Sequence, residues 1–218
     1  MITFLINYSL ELSAFLTGLM LYRKLQPGIF KLLVLLLFFT VVNEGLSYLG
    51  FYTQIHVKKT LIYAIFFIIE CIIFWRLFAL KQKADKRWFY HSVFLAALLL
   101  QVFFLFRYGY KQMNSPFLNV ICCYTIFLGI SYYYKLYTEQ KYFDITKDPF
   151  FWLATGIIIV NFVHLFYVNA IFLNVFRNDP NRFKIFKNLN TIGNVIYYPL
   201  LIKALLCSSK LQKQATIW

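Results

Sequence analysis

The chain has 218 residues, 61% of them hydrophobic and 22% aromatic, with only 14% charged and a formal net charge of +14. Soluble domains are about 45–50% apolar and about 25% charged, so this composition excludes an ordinary soluble globule and points to a membrane protein. The basic residues sit in short clusters between apolar runs, the pattern of loops that set membrane topology, so direct nucleic-acid binding is not expected.

A helix needs about 20 apolar residues to cross a hydrocarbon core of about 30 Å. Seven stretches qualify: 2–22, 30–50, 60–80, 88–106, 116–137, 149–173 and 186–207. They use up the chain almost completely. The expected fold is therefore all-α, a polytopic membrane protein with seven transmembrane helices in a single domain over 1–218. No basic region precedes the first run and no small-residue cleavage site follows it, so that run is expected to stay as a helix.

The first span carries Asn7 and, at mid-depth, Glu11. The second carries Glu44 near its far end, and the third carries Glu70 at its centre. An ionised side chain at mid-bilayer costs about 2.5–3.5 kcal/mol on insertion scales, so three such residues need a reason. The fifth span offers Asn119 and Tyr124. In the sixth, Asn161 and His164 share a face, and Asn169 lies further along. In the seventh, Asn190, Asn194 and Tyr197 follow 4-then-3 spacing and form one stripe, with Tyr198 beside it. Asp148-Pro149 places an N-cap acceptor before a proline at the first helical position of the sixth span. Ser115-Pro116 repeats the arrangement at the fifth. Pro199 falls inside the seventh and predicts a kink. Trp88, Phe150 to Trp152 and Tyr132 to Tyr134 read as interface aromatics. Cys71, Cys122, Cys123 and Cys207 read as small buried hydrophobes.

Fourteen of the 22 Lys and Arg residues flank the connections on one side and eight flank those on the other. The positive-inside rule then places the N-terminus outside and the C-terminus in the cytoplasm.

Intramembrane polar groups either glue helices together or line a wet cavity. Three carboxyls, a histidine and an Asn–Tyr stripe exceed what packing requires. The expected ligand or ion pocket comprises Glu44, Glu70, His164, Asn190, Asn194, Tyr197, Glu11 and Asn161. No Lys or Arg lies at mid-depth to neutralise the acids, so protonated carboxyls are expected at pH 7 rather than ion pairs. Lys203 lies close to the inner end and is expected to snorkel to the interface, not to carry a retinal Schiff base with Glu70 as counter-ion. His56, His91 and His164 form no histidine box or His-Glu-x-x-His motif, and there is no Gly-x-Ser-x-Gly elbow or phosphate-binding glycine loop. No catalytic residues, metal or cofactor are expected, and the chain does not read as an enzyme.

Glu44, Tyr63, Glu70, the run Asp148-Pro149-Phe150-Phe151-Trp152 with Gly156, and the Asn190–Asn194–Tyr197 stripe together carry a likeness. On these residues the chain resembles a family of small uncharacterised seven-helix bacterial integral membrane proteins, often found beside sensor histidine kinases. Ala64 and Phe66 depart from it, standing where an Asn and a Tyr are usual. The resemblance implies a sensory or signal-coupling role. The leading expectation is thus a receptor-like or signal-coupling membrane protein with a polar intramembrane pocket. The alternatives are a small transporter or proton-coupled carrier using Glu70, and a pore-forming or depolarising accessory of a bacterial defence system such as CRISPR. Besides the lipid bilayer, the basic inner loop Lys81 to Arg87 is the expected contact for a protein partner.

Overall fold

In lipid, backbone N–H and C=O groups must be satisfied within the protein, and a long apolar run does this alone only as a helix. The computed structural model describes residues 2–25, 28–50, 59–79, 84–108, 115–139, 144–172 and 180–215. Its helices are α1 (Ile2–Leu21), α2 (Phe30–Tyr48), α3 (Lys59–Ala79), α4 (Ala84–Tyr108), α5 (Ser115–Glu139), α6 (Pro149–Phe172) and α7 (Pro180–Ala215). Short 3-10 turns follow α1 at Tyr22–Lys24 and precede α6 at Ile145–Lys147. All seven helices are long and apolar enough to cross a membrane, so the chain is an all-α, multi-pass membrane protein. The most apolar span, Leu61–Ala79 with mean hydropathy 2.2, is the one that holds Glu70.

Two helices overrun their predicted bounds by four residues or more. α4 begins at Ala84 rather than Trp88, and α7 runs from Pro180 to Ala215 rather than over 186–207. Their added turns are polar, so an apolar-run criterion truncates them. At 36 residues, α7 is about 54 Å long, well beyond a hydrocarbon core of about 30 Å. It also continues through Pro199. α2 stops where expected, because Gly50 takes a φ of 69° that side-chain-bearing residues rarely adopt.

Six helices close a ring in the order α1, α2, α3, α5, α6, α7, with α7 packed against α1. α4 lies outside the ring, against α3 and α5. We call the end of the bundle where α1 begins the N-side and the end where α7 finishes the C-side. The C-side half is solid. Phe30, Phe74, Phe78, Tyr132, Phe150 and Leu153 are all fully buried there. Phe150 packs edge-on against Phe30 and Phe78, with ring centroids 4.9 and 6.0 Å away. Phe150 and Tyr132 are therefore core residues, not the interface aromatics the sequence suggests. Trp88 and Tyr134 are exposed, as an interface position requires.

Asp148 organises this end. Its Oδ1 accepts the Phe150 backbone N–H at 2.9 Å, capping α6, and its Oδ2 accepts the Tyr132 hydroxyl. The preceding turn is fastened to α6 by the Trp152 indole, which donates to the Thr146 carbonyl at 2.7 Å. Exposed Asp144 accepts from the Thr146 hydroxyl and backbone N–H, and the hydroxyl bond chiefly holds its carboxyl below the usual range.

The bundle's outer surface is apolar, with Met20, Leu99, Phe103, Phe106 and Phe166 all well exposed. Hydroxyls on that surface fold back onto their own helix: Ser9, Ser13 and Thr17 donate to the carbonyls of Ile6, Leu10 and Ser13 at 2.8 Å. This satisfies polar atoms that face lipid. Cys71, Cys122 and Cys207 are buried, but Cys123 is exposed, contrary to expectation. It faces outward because its neighbour Cys122 faces in, and adjacent helical positions point about 100° apart.

Candidate functional site

Inside the ring, mainly in its N-side half, lies a cavity of about 590 Å³. All eight residues singled out from the sequence line it: Glu11 on α1, Glu44 on α2, Glu70 on α3, Asn161 and His164 on α6, and Asn190, Asn194 and Tyr197 on α7. Among the described residues, α4 contributes nothing to the wall. Leu33 and Leu201, both fully buried, form the floor where the cavity meets the apolar C-side core. At the N-side, the Phe4 and Tyr48 rings stack with centroids 4.2 Å apart, tying the start of α1 to the end of α2.

Two of the carboxyls are held by tyrosines from a neighbouring helix in the ring. The Tyr63 hydroxyl of α3 donates to Glu44 Oε1 at 2.6 Å, linking α2 to α3. The Tyr198 hydroxyl of α7 donates to Glu11 Oε1 at 3.2 Å, linking α1 to α7. Glu11 is only 6% exposed, and its second oxygen, Oε2, is buried without a partner. Glu70 differs. It lies within electrostatic range of Tyr197 and Tyr198 on α7. Yet among the described residues it makes no hydrogen bond and no ion pair. The Asn161 side-chain amide donates to the Ile157 carbonyl of its own helix at 2.9 Å, which leaves its oxygen available. Tyr197 owes its position to Gly156: a Cβ there would sit 3.0 Å from the Tyr197 Cδ2.

Other polar residues noted in the sequence fall elsewhere. Asn119 and Asn169 pair reciprocally at 2.8 and 3.0 Å and clamp α5 to α6. Tyr124 is buried behind the wall with its hydroxyl unpartnered. Lys203 is on the exposed face of α7, its ammonium 5.7 Å from the Trp152 ring centroid, as a snorkelling lysine should be. Residues 81–83 of the basic loop Lys81 to Arg87, and the side chains up to Lys86, lie outside the described residues; Arg87 is exposed.

Sequence reasoning missed several lining groups, among them Tyr8, Thr40, Phe67 and Tyr167. Helical spacing could have supplied them. Tyr8 is three residues from Glu11, Thr40 four from Glu44, Phe67 three from Glu70 and Tyr167 three from His164, each on the same helix face as its partner.

Because Glu70 makes no hydrogen bond among the described residues, Glu70→Gln is expected to fold and insert within about 0.5 kcal/mol of the parent. Thermal melting followed by gel filtration measures this. A loss of folded protein as large as that of Glu70→Ala would make the residue structural.

The chain matches no protein-family model, no curated protein and no solved structure.

Proposed function

We propose that the chain is a receptor-like or signal-coupling protein of a bacterial inner membrane, with its N-terminus outside and its ligand pocket in the N-side half. The resemblance to membrane proteins found beside sensor kinases agrees with this reading, which assigns no catalytic step. The observation that carries it is the contrast between the two halves of the bundle. A cavity of about 590 Å³ whose wall carries three carboxyls ends, at Leu33 and Leu201, on an apolar core that includes the fully buried Phe30, Phe74, Phe78 and Phe150. A pocket that ends blindly suits recognition better than passage.

A carrier is the second reading, and Glu70 favours it. A mid-span carboxyl free of protein hydrogen bonds among the described residues can exchange a proton or bind an ion. Cysteine labelling separates the two. In a variant with all four native cysteines replaced by alanine, Asn194→Cys and Leu205→Cys are introduced singly. Leu205 is fully buried in the C-side core. In sealed vesicles treated with a membrane-impermeant thiol reagent, Asn194→Cys should react from the N-side only and Leu205→Cys from neither side. Reaction of Asn194→Cys from both sides would replace the receptor reading with a carrier or pore.

A further inference from the structure

We infer that the cavity takes an organic cation, specifically a protonated amine carrying an apolar or aromatic body. This rests on the reading of the cavity as a ligand pocket.

The sign of the lining comes first. Three carboxyl side chains, Glu11, Glu44 and Glu70, reach the cavity, while none of the chain's 22 Lys and Arg residues is among the lining residues described. None of the three acids forms an ion pair among the described residues. A cation that enters favours the ionised form of a facing carboxyl, and in a water-poor enclosure the resulting carboxylate attracts it far more strongly than at a surface.

Unmet hydrogen-bonding capacity points the same way. Three lining atoms are buried without partners: Asn7 Oδ1, Glu11 Oε2 and Asn190 Oδ1. All three are acceptors, and Glu11 is 94% buried, being 6% exposed. Buried acceptors left unmet cost about 1–3 kcal/mol each, so an occupant that brings N–H donors removes a standing penalty. An ammonium group brings up to three.

The remaining wall explains the body of the ligand. Tyr8, Tyr63, Phe66, Phe67, Tyr167 and Tyr197 line the same cavity as the acids. Aromatic faces attract cations and also pack against apolar groups. A volume of about 590 Å³ falls within the range of about 300–1,000 Å³ typical of small-molecule pockets and is far larger than an inorganic ion needs. Among the described residues, no three His, Cys, Asp or Glu side chains are grouped to ligate a metal ion. An anion would meet the carboxyls with nothing to balance them.

Three probes of one shape test the inference: 4-phenylbutylamine, 4-phenylbutanol and 4-phenylbutyrate, which are cationic, neutral and anionic at pH 7. Binding is measured by equilibrium dialysis against the full chain in nanodiscs of neutral phosphatidylcholine, with empty nanodiscs subtracted. The amine should bind saturably and about tenfold or more tighter than the other two. Glu11→Gln and Glu70→Gln should each weaken it about tenfold, the size expected for losing a hydrogen bond to a charged group. If Glu11→Gln does not fold, Glu70→Gln carries the comparison, since among the described residues its carboxyl makes no hydrogen bond or ion pair. Equal or tighter binding of the alcohol or the carboxylate overturns the cation assignment and leaves the pocket standing. So does saturable binding of none of the three while Asn194→Cys stays reactive in the same nanodiscs. An unreactive Asn194→Cys overturns the pocket and the inference together.

Discussion

Replacing Asp148 with alanine is expected to lower the unfolding free energy by about 3 kcal/mol. Two separate losses add up. The first is the cap on α6, where Oδ1 accepts the Phe150 N–H at 2.9 Å, and removing such a cap typically costs about 1 kcal/mol. The second is the Tyr132 hydroxyl, which donates to Oδ2 from a side chain only 2% exposed. Taking this acceptor away from a buried hydroxyl costs about 1–3 kcal/mol more. The two can be told apart. Adding Tyr132→Phe removes the hydroxyl as well, so the double variant should return to within about 1 kcal/mol of the parent. Asp148→Asn keeps the amide oxygen as acceptor for the Phe150 N–H, while its amide N–H can donate to the Tyr132 oxygen with the hydroxyl bond reversed, so it should cost under about 1 kcal/mol. Equilibrium unfolding in mixed micelles, followed by tryptophan fluorescence, reads all three. A double variant no more stable than Asp148→Ala would refute the hydroxyl half of the argument.

The second large effect concerns the closest approach of two ring helices. A Cβ built at Gly129 of α5 would lie 2.7 Å from Ile158 Cγ1 and 3.3 Å from the Ala154 carbonyl oxygen of α6. Ala154 is itself fully buried. Small residues of this kind let helices associate in lipid, where packing replaces the hydrophobic drive. Gly129→Leu must therefore push α5 away from α6, and it is expected to destabilise the bundle by about 3 kcal/mol. The sign is informative, since exchanging a mid-helix glycine gains about 1 kcal/mol of helix propensity that packing strain has to exceed. Adding Ile158→Ala should restore part of the loss. Gly28 is the control, because a Cβ there would have nothing within 4 Å, and Gly28→Leu should melt within about 2 °C of the parent. Melting of Gly129→Leu at the parent temperature would show that α5 and α6 are not in close contact.

Both sites illustrate which features the sequence encodes openly. Asp148-Pro149 is a local signal, because the cap and the proline act within a few residues of each other, and the helix does begin there. Membrane spans are equally legible, since length and apolarity alone define them. The cavity wall was half legible. A glutamate within an apolar run is costly enough to announce itself, whereas Tyr8 and Tyr167 look like ordinary aromatics until their neighbours on the helix are considered. Gly129 gave no signal at all. Whether a glycine meets a facing helix depends on ring order, which hydropathy does not encode. The same holds for Asn119 and Asn169, which resemble pocket residues in one dimension but satisfy one another between α5 and α6.

The place of α4 outside the ring has a topological consequence. α3 and α5 are neighbours that run in the same direction, and the rings of Phe78 and Tyr132, both near the C-side ends of their helices, meet 6.3 Å apart. Parallel neighbours need the chain to travel back between them. In water an irregular crossover would serve, but across a bilayer every backbone group on the return must be bonded internally, so the crossover has to be a helix. α4 is that return stroke. Six helices enclose the cavity, and the seventh is the return between α3 and α5, ring neighbours that run the same way.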